Sequence, residues 1–594
     1  MDAADKYIEK SEWDASPGQN PPHPELAEEH EPVTRIPTAS SSSSGSSSSS
    51  DASGLERDAT ISRLPTQREE VTGLERHETA LSRIQTQRSQ HSNTVGASLK
   101  SRQSRKPLPA FGAGKPYPPM LPEREEYVVE FDGPDDPMHA MNWPFRKKLM
   151  TAAMLGFTTL TAAFGSSIFS AATRVVANQF HVGTTVGVLG TSLYVLGFAT
   201  GPIVWAPLSE LKGRRLPLVL ASFGFSVFNI GVATGKDIQT ILICRFFSGF
   251  FGACPLTCVA AVFSDMFNNR TRGMAITVFS MTVFSGPLLA PFIGGFIVIS
   301  HLGWRWTEYL VTIMGFTAFT LNLLFLEETY PPAILVKKAT EIRRRTKNWG
   351  VHAKMDEVEI DFKELLTKNF TRPLRMLFTE PIIGMLSIYM AFIYGLLYLF
   401  LTAYPLVFQG VHHMNPGVGG LPFFGMIVGQ LIAGTLIFLR QPGYQKKLAA
   451  NNDTPIPEWR LPEIIIGGIC FAAGIFGFGW TAYESIHWIA PTMFGILIGF
   501  GLLSIFLQAL NYLVDAYLMF AASAIAANTF LRSIFGAVFP LFAQQMFEAM
   551  GIQYAATLLG CVAAVLVPVP VWFLYRGAKL RQKSKFAPTF KATI

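Results

Sequence analysis

From about residue 148 to residue 576 the chain repeats one pattern twelve times: about 20 apolar residues, then a polar connection. At 1.5 Å per residue such a run, wound as a helix, spans about 30 Å, the thickness of a bilayer's hydrocarbon core. Each run is therefore long enough to cross the bilayer, and each predicts one membrane-spanning helix. The spans are read at 148–172, 184–207, 215–234, 238–263, 273–299, 306–327, 380–408, 420–439, 461–482, 488–514, 519–545 and 552–576.

Composition agrees: 49% of the 594 residues are hydrophobic and only 15% charged. An ordinary soluble domain carries about 25% charged residues. The net charge of +7 does not point to nucleic acid, because the basic residues lie between apolar runs and not on one domain face. Cys244, Cys254, Cys258, Cys470 and Cys561 all fall inside apolar runs, the pattern of small core residues and not of disulfides or metal sites. No cofactor is expected.

One long connection divides the spans six and six, and the domains are read accordingly. Residues 1–126 form a Ser-rich disordered tail, 127–327 the first six-helix bundle with its leading segment, and 328–379 a charged central loop. Residues 380–577 form the second bundle and 578–594 a basic tail. Within the first tail, 54–69 and 73–89 repeat one another with Ser62 and Ser82 each beside an arginine, a pattern open to a kinase or to drift of a low-complexity segment. Lysine and arginine gather at Arg146, Lys148, Lys212, Arg215, Arg270, Arg272, the central loop, Lys446, Lys447 and Arg576. The other side carries chiefly Arg174, Lys236 and Arg305. This bias places both termini in the cytoplasm, where the sequons at Asn269, Asn369 and Asn452 would go unused.

Three local patterns bear on mechanism. Between spans 2 and 3, Glu210, Gly213, Arg214 and Arg215 follow Ala206; Gly213 permits a tight turn, and Glu210 has basic groups and a helix N-terminus within reach. Span 5 carries Gly286, Pro287, Ala290, Pro291, Gly294 and Gly295, where proline interrupts the hydrogen-bond ladder and glycine admits close helix contact. Arg245 in span 4 is a charge at membrane depth, facing a cavity or else snorkelling to the outer interface. The first pattern resembles the loop motif of the major facilitator superfamily, with Ala206, Glu210 and Leu211 departing from it. The second resembles that superfamily's antiporter motif. With the stretch 523–542, the segment from Pro457 to Leu461, and the leading segment through Phe131, Asn142 and Pro144, the chain resembles the fungal twelve-span drug:proton antiporter family over about 127–590. The resemblance implies two six-helix bundles around a midplane site, and a role for Arg245 in proton transfer.

The candidate cavity residues come from helical spacing. In span 10, Ser504, Gln508, Asn511, Tyr512 and Asp515 form one polar stripe; in span 11, Asn528 and Arg532 lie one turn apart; in span 7, Ser387, Tyr394 and Tyr398 share a face. Such stripes face the bundle interior, either as helix-to-helix contacts or as cavity lining. Arg532 is read as functional for its charge and depth, and Arg245, Arg532 and Asp515 are the candidates for proton coupling.

The function expected is secondary active transport, without covalent chemistry. Small lipophilic or weakly cationic compounds would leave in exchange for protons by alternating access, from a monomer embedded in the plasma or vacuolar membrane. A polyamine exporter, a nutrient importer of the same fold, and a membrane sensor with a signalling tail are the alternatives. The few span carboxylates noted, Glu308, Glu380 and Asp515, sit near helix ends, which weighs against a polycation at mid-depth. An intramembrane hydrolase would need paired Asp, a Ser dyad or His–metal spacing, and the spans show none.

Overall fold

A computed structural model describes residues 127–346, 348–357, 362–451, 455–517, 520–584 and 586, the side chains of 269, 270 and 362–369 excepted. The repeated tail segment with its kinase reading and the sequon at Asn452 lie outside the described residues. The helices are α1 (Phe145–Gln179), α2 (Thr184–Leu211), α3 (Arg215–Thr234), α4 (Ile238–Met266), α5 (Asn269–Ile299) and α6 (Arg305–Phe325). Then come α7 (Pro331–Thr346), α8 (Phe362–Thr379), α9 (Pro381–Pro405), α10 (Phe423–Ala450), α11 (Leu461–Thr481), α12 (Ile489–Ala516), α13 (Ala521–Met550), α14 (Ile552–Leu566) and α15 (Pro568–Lys583). Twelve membrane-length segments result, α9 continuing through a π-helical turn to Val411 and α14 with α15 making the last.

Local chemistry sets the ends. Asp237 accepts from the Thr240 amide to open α4, and Asn268 from the Thr271 amide to open α5. Pro381 occupies the first turn of α9, where its missing N–H costs nothing. Pro568 and Pro570 explain the junction of α14 and α15, since neither can donate to the preceding turn.

The central stretch read as a loop contains two helices, α7 and α8. The leading segment is tied to α7 and to the stretch after it: Lys338 lies 3.2 Å from Asp132 and 3.7 Å from Asp136, and Val128 bridges to His352. Backbone N–H groups of Asp132 and Met138, with Lys338 alongside, hold the Asp136 carboxyl below the usual carboxylate range.

The two bundles repeat one packing device. In the first, α2 and α4 meet so closely that a Cβ on Gly249 would stand 2.0 Å from the Tyr194 carbonyl oxygen. In the second, α10 and α12 do the same: a Cβ on Gly499 would stand 2.0 Å from the Met426 carbonyl oxygen. Lipid supplies no hydrophobic push between helices, so such backbone approach supplies dispersion contact instead. Across the bundles, α2 packs on α13 and α5 on α10.

Candidate substrate cavity and buried ion pairs

A cavity of about 400 Å³ lies between the bundles, in the half nearer the basic loops. Its walls are mostly apolar: Phe198, Pro202 and Ala206 from α2, Leu256 and Ala260 from α4, Ile276 and Phe284 from α5, and Phe506, Leu507 and Leu510 from α12. Ser280, Asn511, Ser523 and Thr529 add polar points, and Glu210, Arg214, Arg272, Arg460 and Asp515 surround its basic end. Deep in the cavity stands Arg532. Its guanidinium lies 5.1 Å from the Tyr394 ring centroid and 4.8 Å from that of Phe506, and its Nε is buried without a hydrogen-bond partner.

The opposite half is closed. Phe292 meets Phe424 edge to face, Gln545 donates to Thr185 Oγ1, and Gly295 lies against the turn preceding α10. That turn explains part of the span 5 pattern. A Cβ on Gly286 would stand 2.8 Å from Ala163 Cβ and one on Gly294 3.1 Å from Ile168, both on α1. A Cβ on Gly295 would stand 2.3 Å from the Pro416 carbonyl oxygen. Pro287 and Pro291 lie inside α5. The motif thus packs against its own bundle on one side and the other bundle on the next.

Arg245 does not snorkel; it is fully buried. Its Nη1 lies 3.4 Å from Glu308 Oε1, and it donates to the carbonyls of Gly190, Gly165 and Ser166. Phe169 and Tyr194 cover it with their rings. Glu308, read as an end-of-span carboxylate, is likewise fully enclosed. A polar thread leaves this pair: Tyr398 Oη donates to Ser166 Oγ at 2.9 Å, and Tyr394 Oη lies 3.5 Å from Tyr398 Oη, next to Arg532.

At the basic end the two bundles carry matching ion pairs. Arg214, just before α3, pairs with Asp265 near the end of α4 at 3.3 Å; Arg460, just before α11, pairs with Asp515 near the end of α12 at 3.2 Å. The carboxylate expected to come from Glu210 comes instead from Glu328. It accepts from the amides of Arg214 and Arg215 at the N-terminus of α3, while Arg215 donates to the Leu323 carbonyl. Gly213, at φ +85°, makes that turn, and a Cβ there would collide with the Glu328 carboxylate. Glu210 sits on the cavity wall, and no hydrogen bond or ion pair engages it among the described residues. In the second bundle Glu458, just before α11, pairs with the Arg581 side chain near the end of α15.

The span 10 stripe turns mostly away from the cavity. Gln508 donates to Glu463 on α11, Tyr512 stacks on Phe573 of α15, and Ser504 faces Gly467 of α11. Asn528 donates toward Met390 Sδ on α9. Of the candidate lining residues Asn511 is on the wall, with Arg532 and Asp515; Tyr394 backs Arg532, and Tyr398 is sealed against Ser166. The physical reason is that α12 packs against α11 over its length, so its polar face finds partners there and its apolar face meets the cavity. Sequence reasoning missed Glu328, Asp265, Glu463 and the pairing of Glu308. For the last a signal existed, since two opposite charges within spans that cannot remain solitary point to each other.

Two six-helix bundles around one central cavity define a membrane transporter, not an enzyme. The family model of the Major Facilitator Superfamily matches residues 155–540, and the chain belongs to that family. Over 498 residues it is 51% identical to a protein of Candida albicans named major facilitator superfamily multidrug transporter FLU1, covering 83% of this chain and 82% of that one. It is 48% identical over 481 residues to the multidrug transporter TPO1_2 of Candida glabrata, covering 81% and 83%. A solved structure of the proton:xylose symporter XylE aligns with a TM-score of 0.52 at 14% identity, over 73% of this chain and 96% of that one; this likeness is one of fold alone.

Proposed function

We propose that the protein exports small lipophilic compounds such as drugs, fungicides or secondary metabolites, in exchange for protons, by alternating access. The observation that carries this reading is the cavity: mostly apolar walls, a few polar points, and a position between the bundles in the half that lysine–arginine bias assigns to the cytoplasm. A ligand entering there would be taken up from the cell interior, with both termini on that side. The names of the Candida relatives support the drug-transporter class. The cavity's arginines weigh against a polyamine and against weak cations, so the lipophilic class is retained. Arg245, Arg532 and Asp515 remain the coupling candidates, joined by Glu308 as Arg245's counter-charge. Gly213, Arg214 and Arg215 with Glu328 would latch the basic end, Glu210 standing beside them on the cavity wall, and the α5 glycines and prolines would close the opposite end.

The test is efflux of a labelled lipophilic fungicide from cells with and without the chain. Collapse of efflux when a protonophore dissipates the gradient at constant ATP supports the proposal; unchanged efflux overturns the coupling. Export of spermine with no effect on lipophilic compounds overturns the substrate class. A fluorescent fusion at the cell margin, and not at the vacuole, supports the plasma membrane.

A further inference from the structure

We propose that Arg532 is a substrate-selecting anion site, and that the preferred ligands are lipophilic compounds bearing a carboxylate or similar acid group. This deepens the exporter reading above and rests on it.

Three observations converge. First, the Arg532 guanidinium has no hydrogen bond or ion pair among the described residues; its neighbours are the rings of Tyr394 and Phe506. A guanidinium keeps its charge in proteins and carries five donors in a planar fork suited to a carboxylate. Aromatic faces offset part of its desolvation but accept none of those bonds well. Second, it lines the cavity. It lies eleven residues into α13 from Ala521, about 16 Å deeper than the basic end by helix rise. Third, the wall offers it no free carboxylate at that depth. Asp515 is taken by Arg460, and Glu210 lies in the last turn of α2, at the basic end. The remaining surroundings, Phe198, Phe284, Leu507 and Thr529, suit an apolar body. A ligand with an acid head and an aromatic or aliphatic body would complete both sets of contacts. A cation would meet Arg532 unscreened in a largely apolar chamber.

The test uses the full-length chain, purified and reconstituted in lipid nanodiscs, with a matched pair of probes: 2-naphthoate and its neutral isostere 2-naphthamide. Binding of each is measured by equilibrium dialysis at neutral pH, where the first is ionised. The wild type should prefer naphthoate by at least about tenfold, the scale of a charged hydrogen bond. In Arg532→Gln the preference should fall to about one, with naphthamide binding retained as a check on the fold. Arg532→Lys, which keeps charge without the fork, should retain part of it. Equal binding of the two probes to the wild type, or an undiminished preference in Arg532→Gln, overturns the anion site; with naphthamide still bound, the lipophilic-exporter reading stands. Binding of neither probe overturns both.

Discussion

Arg245 and Arg532 are both arginines inside apolar helices, and the structure treats them oppositely. Arg245 in α4 is sealed, with Glu308, three carbonyls and two rings around it. Arg532 in α13 has two rings and an open cavity. A charge removed from water must recover its lost hydration from fixed partners. Arg245 has recovered it from the protein, so it cannot receive a ligand without first giving something up. Arg532 has recovered it only in part, which is the condition for binding. Burial alone therefore does not mark a charge open to a ligand; the state of its partners does.

The largest effect should come from unbalancing the sealed site. Glu308→Leu leaves Arg245 buried without its counter-charge and should cost about 3–5 kcal/mol. Thermal unfolding of the detergent-solubilised protein should fall accordingly, and Arg245→Met with Glu308→Leu should recover most of the loss. If the single variant is as stable as wild type, the pair is not a buried ion pair in the working protein and the contrast with Arg532 fails.

A smaller effect should come from the closure that keeps the Arg245 half sealed. A Cβ at Gly295 would stand 2.3 Å from the Pro416 carbonyl, across the bundles; the nearest atoms to one at Gly294 are on α1, at 3.1 Å. Gly295→Ala should disfavour the closed opposite end by about 1–3 kcal/mol, an overpacking cost. Gly294→Ala should shift the balance less. Labelling of single cysteines near Thr185 and Gln545, from each side of the membrane, reads the balance directly; equal labelling of the two variants would remove Gly295 from the closure.

The latches at the basic end give a third, smaller contrast. Glu328→Gln removes the charge that two α3 amides donate to, and should cost about 1–2 kcal/mol. Arg581→Gln strips the Glu458–Arg581 ion pair of the second bundle, which is partly buried, and should cost a comparable amount. A thermal-stability comparison of the two tests whether the bundles are mechanically alike despite their unlike arginines. The smallest effect belongs to the tail: removing residues 1–120, which precede the Val128–His352 bridge, should leave thermal stability and efflux unchanged. Loss of efflux at normal surface abundance would tie the tail to the transport step.

The fold was largely legible because hydrocarbon is an undemanding reader of sequence: it asks only for about 20 apolar residues, and boundaries then follow from caps and prolines. All twelve spans read from apolar runs correspond to helices, with α1 extending further at both ends than its apolar core. The site was legible only as an inventory. Arg532 and Asp515 were found because charge in a span is conspicuous, whereas Gln508, Tyr512 and Asn528 were read as lining and face neighbouring helices.

Helical spacing states which residues of one helix share a face; it does not state what that face meets. That Glu308 meets Arg245, 63 positions away, that Glu328 and not Glu210 caps α3, and that Arg532 meets no charged group among the described residues are facts about how separate helices stand beside one another. Hydropathy set the number and approximate length of the helices, since each answers separately to the bilayer. Packing between helices decided which charges are paired and which stands between rings and a cavity, because that depends on distances no single helix contains.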